Sequence, residues 1–456
     1  MNILYVSSFA DPNPINSNRT SVAVVSALIE AGLNVSMMTC DQDPTWQGSL
    51  PDGVHKIDSR PVLQTEREGI SYYMVALPVT WYERAMTNES WNNAVNWGVN
   101  FLKSLKPDIV HLQQWQNLWW ILESAQQLGI PTVYSVNDYG LTCQRTFLIK
   151  GDGTPCNGEA KILKCSSCVY TGRSFLGKVN EIATFVPGFS TILNGISETR
   201  VGSILSQKGV VRINIKNRVK NNIERHQNSF SKISRVIVGS PFGMDVLNKC
   251  GVSIEKIHVM PWFHEQAELC DAIKKEMKSL VIGFIGRISP EKGLHILLES
   301  LSKLRTNEPI TLRIAGGVDG MYAEDLYSKY RSNAGKNIVE WLGWIENSKL
   351  KDFYEKVDLT VVPSLCFETG PLSMIESLAH RRPVLCSDIA PMKWLNEKFG
   401  TGWVFTFADS LSLTKELNHI YENRALIPKY SSHISPPPTV HEYINSLLNI
   451  YKIISK

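Results

Sequence analysis

The sequence predicts an α/β protein made of two parallel-sheet halves, and three observations carry that expectation. Short apolar runs alternate with amphipathic stretches along most of the 456 residues, glycines stand where the helical stretches should stop, and the alternation begins afresh after the charged run Lys274-Lys275-Glu276-Met277-Lys278. Hydrophobic residues make up 43% of the chain, enough for more than one core, which excludes disordered and fibrous classes.

Ile3–Val6 reads as a buried strand, Ser7–Asn18 as a loop rich in Asn, Pro and Ser, and Ser21–Glu30 as a helix that Gly32 ends before a strand at Val35–Thr39. The unit recurs as strand Asp108–Leu112, helix Leu118–Leu128 with Gly129 as its stop, and strand Thr132–Val136. Strands joined through helices need crossover connections, so the sheet should be parallel. Residues 138–180 break the rhythm with Gly, Thr, Lys and four Cys. They are expected to form an insertion at the carboxyl edge of the sheet, where open α/β sheets take their ligands. Arg235–Ser240 and Ile257–Met260 return to strand.

The second half runs strand Leu280–Ile285, helix Leu294–Leu304, strand Thr311–Ala315, helix Ala323–Arg331, strand Leu359–Val362, helix Leu372–His380 and strand Pro383–Cys386. A helical stretch follows Asp409, a Pro-rich break spans Ser435–Pro438, and an amphipathic segment runs from Val440 to Ile454. The expected organisation is a first domain over residues 1–265, a second over 266–430, and a tail helix within 431–456 that can pack back on the first domain.

Lys plus Arg number 47 against 43 Asp plus Glu, a net charge of +4 that does not call for a nucleic-acid partner. The start Met1-Asn2-Ile3-Leu4-Tyr5-Val6 has no basic region before an apolar stretch and is read as a strand rather than a signal peptide. No run approaches 18 apolar residues, so no membrane-spanning helix is expected. The nine cysteines include Cys40, Cys250, Cys270, Cys366 and Cys386 beside apolar residues, a pattern of buried thiols in a reducing compartment; the expected location is cytoplasmic. A basic stretch from Lys208 to Arg235, with Val210, Val211, Ile213, Ile215, Val219 and Ile223 interleaved, is either a solvated helix or hairpin face or a surface for anionic lipid or an anionic acceptor. The second reading would make the protein peripheral to the inner face of the membrane.

Two segments of the second half carry the chemistry. In Pro363-Ser364-Leu365-Cys366-Phe367-Glu368-Thr369-Gly370-Pro371-Leu372-Ser373-Met374-Ile375-Glu376, a buried strand gives way to a loop and then to a helix opening near Pro371. Unpaired amides at that helix start suit a phosphate, and the carboxylates of Glu368 and Glu376 suit sugar hydroxyls; the alternative is two ordinary exposed helix glutamates. Gly283-Phe284-Ile285-Gly286-Arg287-Ile288-Ser289-Pro290-Glu291-Lys292-Gly293 has the same architecture, with Ser289 as a helix cap and Pro290 as first helical residue. Arg287 and Lys292 flank that turn, and two cations there suit a diphosphate; the alternative is a capped helix with solvated charges.

These two segments resemble the retaining GT-B glycosyltransferases called family 4, through Phe284–Gly293 and the spacing of Glu368 to Glu376 with seven residues between them. The resemblance covers most of the chain and is strongest from Val281 to Ser387. It implies the GT-B fold, two Rossmann-like parallel-sheet domains facing a central cleft, with the acceptor on the first and a nucleotide-sugar donor on the second. It implies that Arg287 and Lys292 hold the donor diphosphate, Glu368 the hydroxyls of the transferred sugar, and Glu376 the nucleotide ribose, with backbone of Gly286, Gly370, Pro371 and Leu372 lining the donor site. It further implies a front-face retaining transfer, in which the leaving phosphate helps take the proton from an acceptor hydroxyl. No cofactor or catalytic metal is then expected, and the acceptor would be a glycan, a lipid-linked molecule or a small molecule, as in polysaccharide biosynthesis.

The first half departs from the family pattern. A Gly-Gly pair is usual after the first strand, whereas Pro14-Ile15-Asn16-Ser17-Asn18-Arg19-Thr20 has no glycine, so either the loop takes another conformation or Asn16 takes a left-handed one. Asn137, in Tyr134-Ser135-Val136-Asn137-Asp138-Tyr139, stands where the family has a sugar-contacting His, and an amide cannot titrate near neutral pH. Arg381 replaces a usual Gly at a helix end, which predicts mild backbone strain. His111 is a candidate sugar or acceptor contact beside Asn137, or a satisfied core histidine. Trp115, Trp119 and Trp120 are core residues or stacking faces for an acceptor sugar. Cys143, Cys156, Cys165 and Cys168 end in a C-x2-C pair and are a candidate structural zinc site, with free thiols or a regulatory disulfide as the alternatives. These departures keep two other readings open: a noncatalytic nucleotide-sugar or glycan binding protein of the same fold, and a nucleotide-sugar epimerase.

Overall fold

The computed structural model describes residues 1–8, 19–41, 54–57, 60–78, 86–170, 215–265, 268–274, 279–400 and 402–455. The chain folds into two compact units, the first made of Met1–Val238, Gly243–Val259 and Ser446–Lys456, the second of Gly239–Phe242 and Met260–Asn445.

In the first unit nine strands form one sheet: β1 (Asn2–Ser7), β2 (Asn34–Asp41), β3 (Val54–Ile57), β4 (Arg60–Arg67), β5 (Ile70–Ala76), β6 (Ile109–Gln114), β7 (Thr132–Ser135), β8 (Arg235–Val238) and β9 (Ile257–Val259). Their order is β3-β4-β5-β2-β1-β6-β7-β8-β9, parallel except at the β3/β4 and β4/β5 pairs. The buried apolar runs Leu4-Tyr5-Val6 and Ile109-Val110 occupy the middle, as strands covered on both faces require. Described helices are α1 (Arg19–Glu30), α2 (Asn88–Leu105), α3 (Trp120–Gln127), α4 (Ile162–Tyr170), α5 (Ile215–Lys232) and α6 (Pro241–Lys249). The capping box of Thr87 with Ser90 starts α2, and Lys106, at φ 51°, ends it in a left-handed turn. The antiparallel β3-β4-β5 edge and α2 went unnoticed in the sequence.

In the second unit the strands are β10 (Val281–Ile285), β11 (Thr311–Ala315), β12 (Asn333–Ala334), β13 (Asn337–Gly343), β14 (Leu359–Val362), β15 (Val384–Ser387) and β16 (Trp403–Phe405). Their order is β12-β13-β11-β10-β14-β15-β16, antiparallel only at β12/β13. Helices α7 (Leu294–Ser302), α8 (Met321–Lys329), α9 (Leu350–Glu355), α10 (Leu372–Ala379), α11 (Ala390–Phe399), α12 (Ser410–Glu422) and α13 (Leu426–His433) follow, and α14 (Val440–Ile454) belongs to the first unit from Ser446 onward. Ile282, Phe284, Leu297, Leu301, Leu312, Ile314, Leu359 and Leu385 belong to its main core cluster. Strand order reverses between β10 and β14, and a parallel sheet opens a crevice beyond the carboxyl ends of its strands at such a reversal.

The expected strands of both halves are present to within one or two residues. β13 and β16 were missed, because Asn337-Ile-Val-Glu-Trp-Leu-Gly alternates too weakly and Trp403-Val-Phe is too short to stand out. The tail segment Val440–Ile454 is one helix whose buried residues Tyr443, Ile444, Leu447, Ile450 and Tyr451 share a face.

Candidate functional site

Both motif segments of the second unit lie at the β10/β14 reversal. β10 ends at Ile285, and Gly286 turns the chain at φ +145°, a conformation that favours glycine. Ser289 starts not a long helix but the short 3-10 turn Pro290–Lys292, with no side-chain cap bond; Gly293, left-handed at φ +72°, then starts α7. A Cβ on Gly293 would meet the Pro363 carbonyl oxygen at 1.9 Å, so the loop after β10 and the loop after β14 touch backbone to backbone there. The Leu365 N–H donates to the Glu291 carbonyl at 2.7 Å and fastens them a second time.

A third link is ionic. Lys292 Nζ stands 2.8 Å from Glu368 Oε2, with the two side chains 27% and 15% exposed. Burial pulls the Lys292 ammonium's pKa down, but the charge of Glu368 and the hydrogen bond to it prevail and leave it raised. The Ser364 hydroxyl donates to the other oxygen, Glu368 Oε1. Cys366, between them in sequence, is buried, and burial pushes its thiol up to about 12, so it stays neutral. Arg287 is different: its guanidinium, 71% exposed, meets Glu291 at 2.7 Å across one turn, a surface pair of the kind worth under about 1 kcal/mol. That pair leaves the guanidinium able to change partners at little cost.

The loop after β14 ends at Gly370, where a Cβ would lie 1.8 Å from Trp262 Cδ1, and α10 starts at Leu372 as expected, with Pro371 as its N-cap and not its first helical residue. Leu372 is the first residue of α10, and the opening amides of a helix carry no partner within it. Glu376 sits on α10 at 8% exposure. Gly286, Arg287, Lys292, Glu368, Gly370 and Pro371 thus occupy two connections that hydrogen bonds and close packing hold together, with Leu372 and Glu376 on the helix that follows. Arg381 is left-handed at φ +54°, and its strained turn is held by Ser431 Oγ on its carbonyl and by its own guanidinium on the Ile434 carbonyl.

The sequence reading passed over Ser364, although it lies within the quoted motif, and Trp344. The latter follows β13, whose last residue, Gly343, accepts from the Gly316 N–H at 2.8 Å. Trp344 is 74% exposed at that carboxyl edge, an unusual setting for the largest apolar side chain.

The candidates of the first unit fare differently. His111 is fully buried, its Nε2 2.8 Å from Ser135 Oγ and its Nδ1 bonded to the Tyr451 hydroxyl of α14. Burial holds its pKa down to about 3. Both ring nitrogens are engaged inside the protein, which corrects its place among the sugar or acceptor contacts: it is a core histidine. Trp115, Trp119 and Trp120 are buried too, with Trp120 Nε1 donating to the Asn117 carbonyl, and are core rather than stacking faces. Asn137 Oδ1 accepts from Gln113 Nε2 at 3.3 Å, and Gln113 also reaches Thr20 and the Tyr5 hydroxyl. Next to it, Asp138 accepts from Trp115 Nε1, Gln116 Nε2 and the Gly140 N–H at 2.7 to 2.9 Å. Burial raises the pKa of that carboxyl against the pull of those three donors. Asn16 lies outside the described residues.

Cys143, Cys156, Cys165 and Cys168 are free, half-buried thiols lining one cavity of about 690 Å³ in the insertion. Burial lifts the Cys143 thiol to about 11. Among the described residues no group of three His, Cys, Asp or Glu side chains that could hold a metal ion is present. Of the basic stretch, residues 208–214 lie outside the described residues and the rest is mostly α5. There Val219 and Ile223 pack on Ile162, Cys165 and Val169, while Arg225 covers the Trp91 ring at 4.9 Å and bonds Asn88. No helix among the described residues is long and apolar enough to cross a membrane.

Residues 265–434 match the family described as Glycosyl transferases group 1, a span that contains both motif loops. The chain is 31% identical over 157 residues to the lipopolysaccharide 1,2-N-acetylglucosaminetransferase of Salmonella typhimurium, covering 33% of this chain and 40% of that protein. It is 29% identical over 127 residues to an uncharacterized glycosyltransferase of Methanocaldococcus jannaschii, covering 27% of this chain and 32% of that one. The matched stretches span well under half the length of these curated relatives. Among solved structures, sucrose-phosphate synthase from Thermosynechococcus elongatus is similar with a TM-score of 0.60 at 15% identity, over 100% of this chain and 96% of that one. HepE of Anabaena in complex with UDP is similar with a TM-score of 0.59 at 14% identity, over 100% and 98%. Residues 265–434 thus resemble glycosyl transferases group 1, within a chain of GT-B fold.

Proposed function

We propose that the chain is a retaining glycosyltransferase of the family 4 type, moving a sugar from a nucleoside-diphosphate donor to a hydroxyl of a glycan, lipid-linked or small-molecule acceptor. The observation that carries this reading is the Lys292–Glu368 ion pair across the two loops at the β10/β14 reversal. It sets a cation and a carboxylate side by side at a helix start, and a nucleotide sugar presents a diphosphate next to a ring of hydroxyls.

In this reading Lys292 and the loosely held Arg287 turn to the diphosphate, helped by the positive ends of α7 and α10. Glu368 accepts hydrogen bonds from the sugar hydroxyls, and Glu376 from the ribose. Trp344 offers a stacking face to the nucleobase at the carboxyl edge of β13. What the chain supplies to the reaction is stabilisation of the departing diphosphate, with a leaving-group oxygen taking the acceptor proton on the face from which the nucleotide departs. No protein nucleophile is assigned. HepE of Anabaena was solved with UDP and with UDP-glucose, which makes UDP-sugars the first donors to try. The acceptor side belongs to the first unit. Peripheral attachment to a membrane through the Lys208–Arg235 stretch, and a place in polysaccharide biosynthesis inside the cell, complete the proposal.

A second reading, a noncatalytic nucleotide-sugar binding protein, is favoured by Asn137, whose carbonyl is taken up by Gln113. One experiment separates the two: donor hydrolysis and transfer measured with UDP-, GDP- and ADP-sugars beside calorimetric binding of the same compounds. Turnover supports the transferase; binding of a nucleotide sugar without hydrolysis or transfer to any acceptor tried selects the binding protein.

A further inference from the structure

Glu368 is held from two sides. Lys292 takes Oε2 at 2.8 Å, and Ser364 donates its hydroxyl to Oε1. Ser364 itself is 1% exposed and follows the strand β14 by two residues, so its side chain has no freedom to wander. Its backbone is fixed as well: the Ser387 hydroxyl, fully buried at the end of β15, donates to the Ser364 carbonyl at 2.9 Å, and the next amide, Leu365 N–H, donates to Glu291.

The two holders of Glu368 differ in kind. Lys292 is a long ammonium with three donors, and once a diphosphate is present its charge has a stronger claim elsewhere. Ser364 is short, neutral, buried and bound to a strand end. When Lys292 turns to the phosphates, a carboxylate with no other restraint would regain its rotamers and the sugar would lose its acceptor geometry. An oxygen that keeps one hydrogen bond from a rigid hydroxyl keeps its direction, and each carboxylate oxygen still has a lone pair for a sugar hydroxyl.

We infer that Ser364 is a positioning residue, whose hydroxyl holds the Glu368 carboxylate toward the donor's sugar while Lys292 serves the diphosphate. This inference rests on the donor-site reading given above. It concerns the sugar end of the donor only, so it separates two affinities that a general structural defect would lower together.

The test is a double-mutant cycle of Ser364→Ala and Glu368→Ala, with Ser364→Thr as the variant that retains the hydroxyl. UDP, GDP and ADP, and the glucose derivative of each, are titrated into wild type and variants, and kcat/KM is measured with whichever nucleotide sugar is turned over. Loss of one hydrogen bond to a charged group predicts about a tenfold fall in kcat/KM and in nucleotide-sugar affinity for Ser364→Ala, with nucleoside-diphosphate affinity unchanged. Ser364→Thr should recover most of the loss, and Ser364→Ala should add nothing in the Glu368→Ala background, where no acceptor remains for the hydroxyl. An equal loss in that background, or an equal loss of plain diphosphate affinity, overturns the positioning role. A wild type that binds and turns over a nucleotide sugar beside an unaltered Ser364→Ala overturns it alone, whereas a wild type that binds none of the six compounds overturns the donor reading and this inference together.

Discussion

The carboxyl ends of the two sheets handle polar groups in opposite ways. At the β10/β14 reversal of the second unit, Lys292 and Glu368 are charged, partly open to solvent and bound to each other. At the β1/β6 reversal of the first unit, His111, Gln113 and Ser135 are buried: His111 bonds Tyr451 and Ser135, and Gln113 bonds Tyr5, Thr20 and Asn137. A neutral network with every nitrogen and oxygen engaged is rigid and has no partner to exchange. A half-open ion pair keeps its charges available, because an incoming anion can replace the carboxylate on the lysine without leaving either charge buried and alone. The first arrangement is scaffold; the second is suited to ligand exchange.

The comparison breaks first at Lys292. Lys292→Ala should lower kcat about a hundredfold by removing stabilisation of the leaving diphosphate, as steady-state kinetics would show. An unchanged kcat would mean that the charged pair is as structural as the histidine network. Gly293→Ala comes next, since it forces a side chain into a left-handed turn and toward the Pro363 carbonyl. Chemical denaturation should show a loss of about 2 kcal/mol or more, and a wild-type midpoint would show that the two loops are not locked together.

The buried network is sharpened by pH. The pKa of His111 is about 3 in the folded chain against an unfolded value near 6.5, so the unfolded state binds the extra proton between those values. The stability tied to neutral His111 is therefore complete above pH 6.5 and is lost progressively as pH falls toward 3, by about 1.4 kcal/mol at pH 5.5. His111→Gln should flatten the acid limb of a stability-against-pH curve by one proton; an unchanged slope would place His111 outside the buried network. The smallest effect belongs to Glu291→Gln, which removes the charge facing the exposed Arg287 guanidinium and a weaker attraction to Lys292, and should change unfolding free energy by less than about 1 kcal/mol. A larger loss would show that Arg287 is held more firmly than its exposure implies.

Much of the second unit was legible in the linear chain, for reasons that are local. Leu359–Val362 is a buried strand because Leu359, Val361 and Val362 cannot all face water and β-branched Thr360 suits an extended backbone, and Gly286 and Gly293 mark turns because few other residues take those angles. The motif loops could be seen because strand, turn, cation and helix start follow one another within about ten residues. His111 could not be assigned from its own neighbourhood, since what decides its role is Tyr451, 340 residues away, on a helix whose amphipathic pattern does not say what it covers. Ser364 was passed over for a similar reason: nothing in Pro363-Ser364-Leu365 marks a hydroxyl that will meet Glu368, which the loop's return path brings to it.

By itself, then, the sequence determined the alternation of elements, the turns that need glycine, and which residue types stand at the ends of β10 and β14, because backbone sterics and the periodicity of burial act over a few residues. Only the tertiary structure decided partners: that Lys292 pairs with Glu368 from 76 residues away while Arg287 pairs within its own turn, and that Cys143, Cys156, Cys165 and Cys168 line one cavity. Partnership depends on which chain segments pack side by side, and strand order, which no local stretch encodes, sets that.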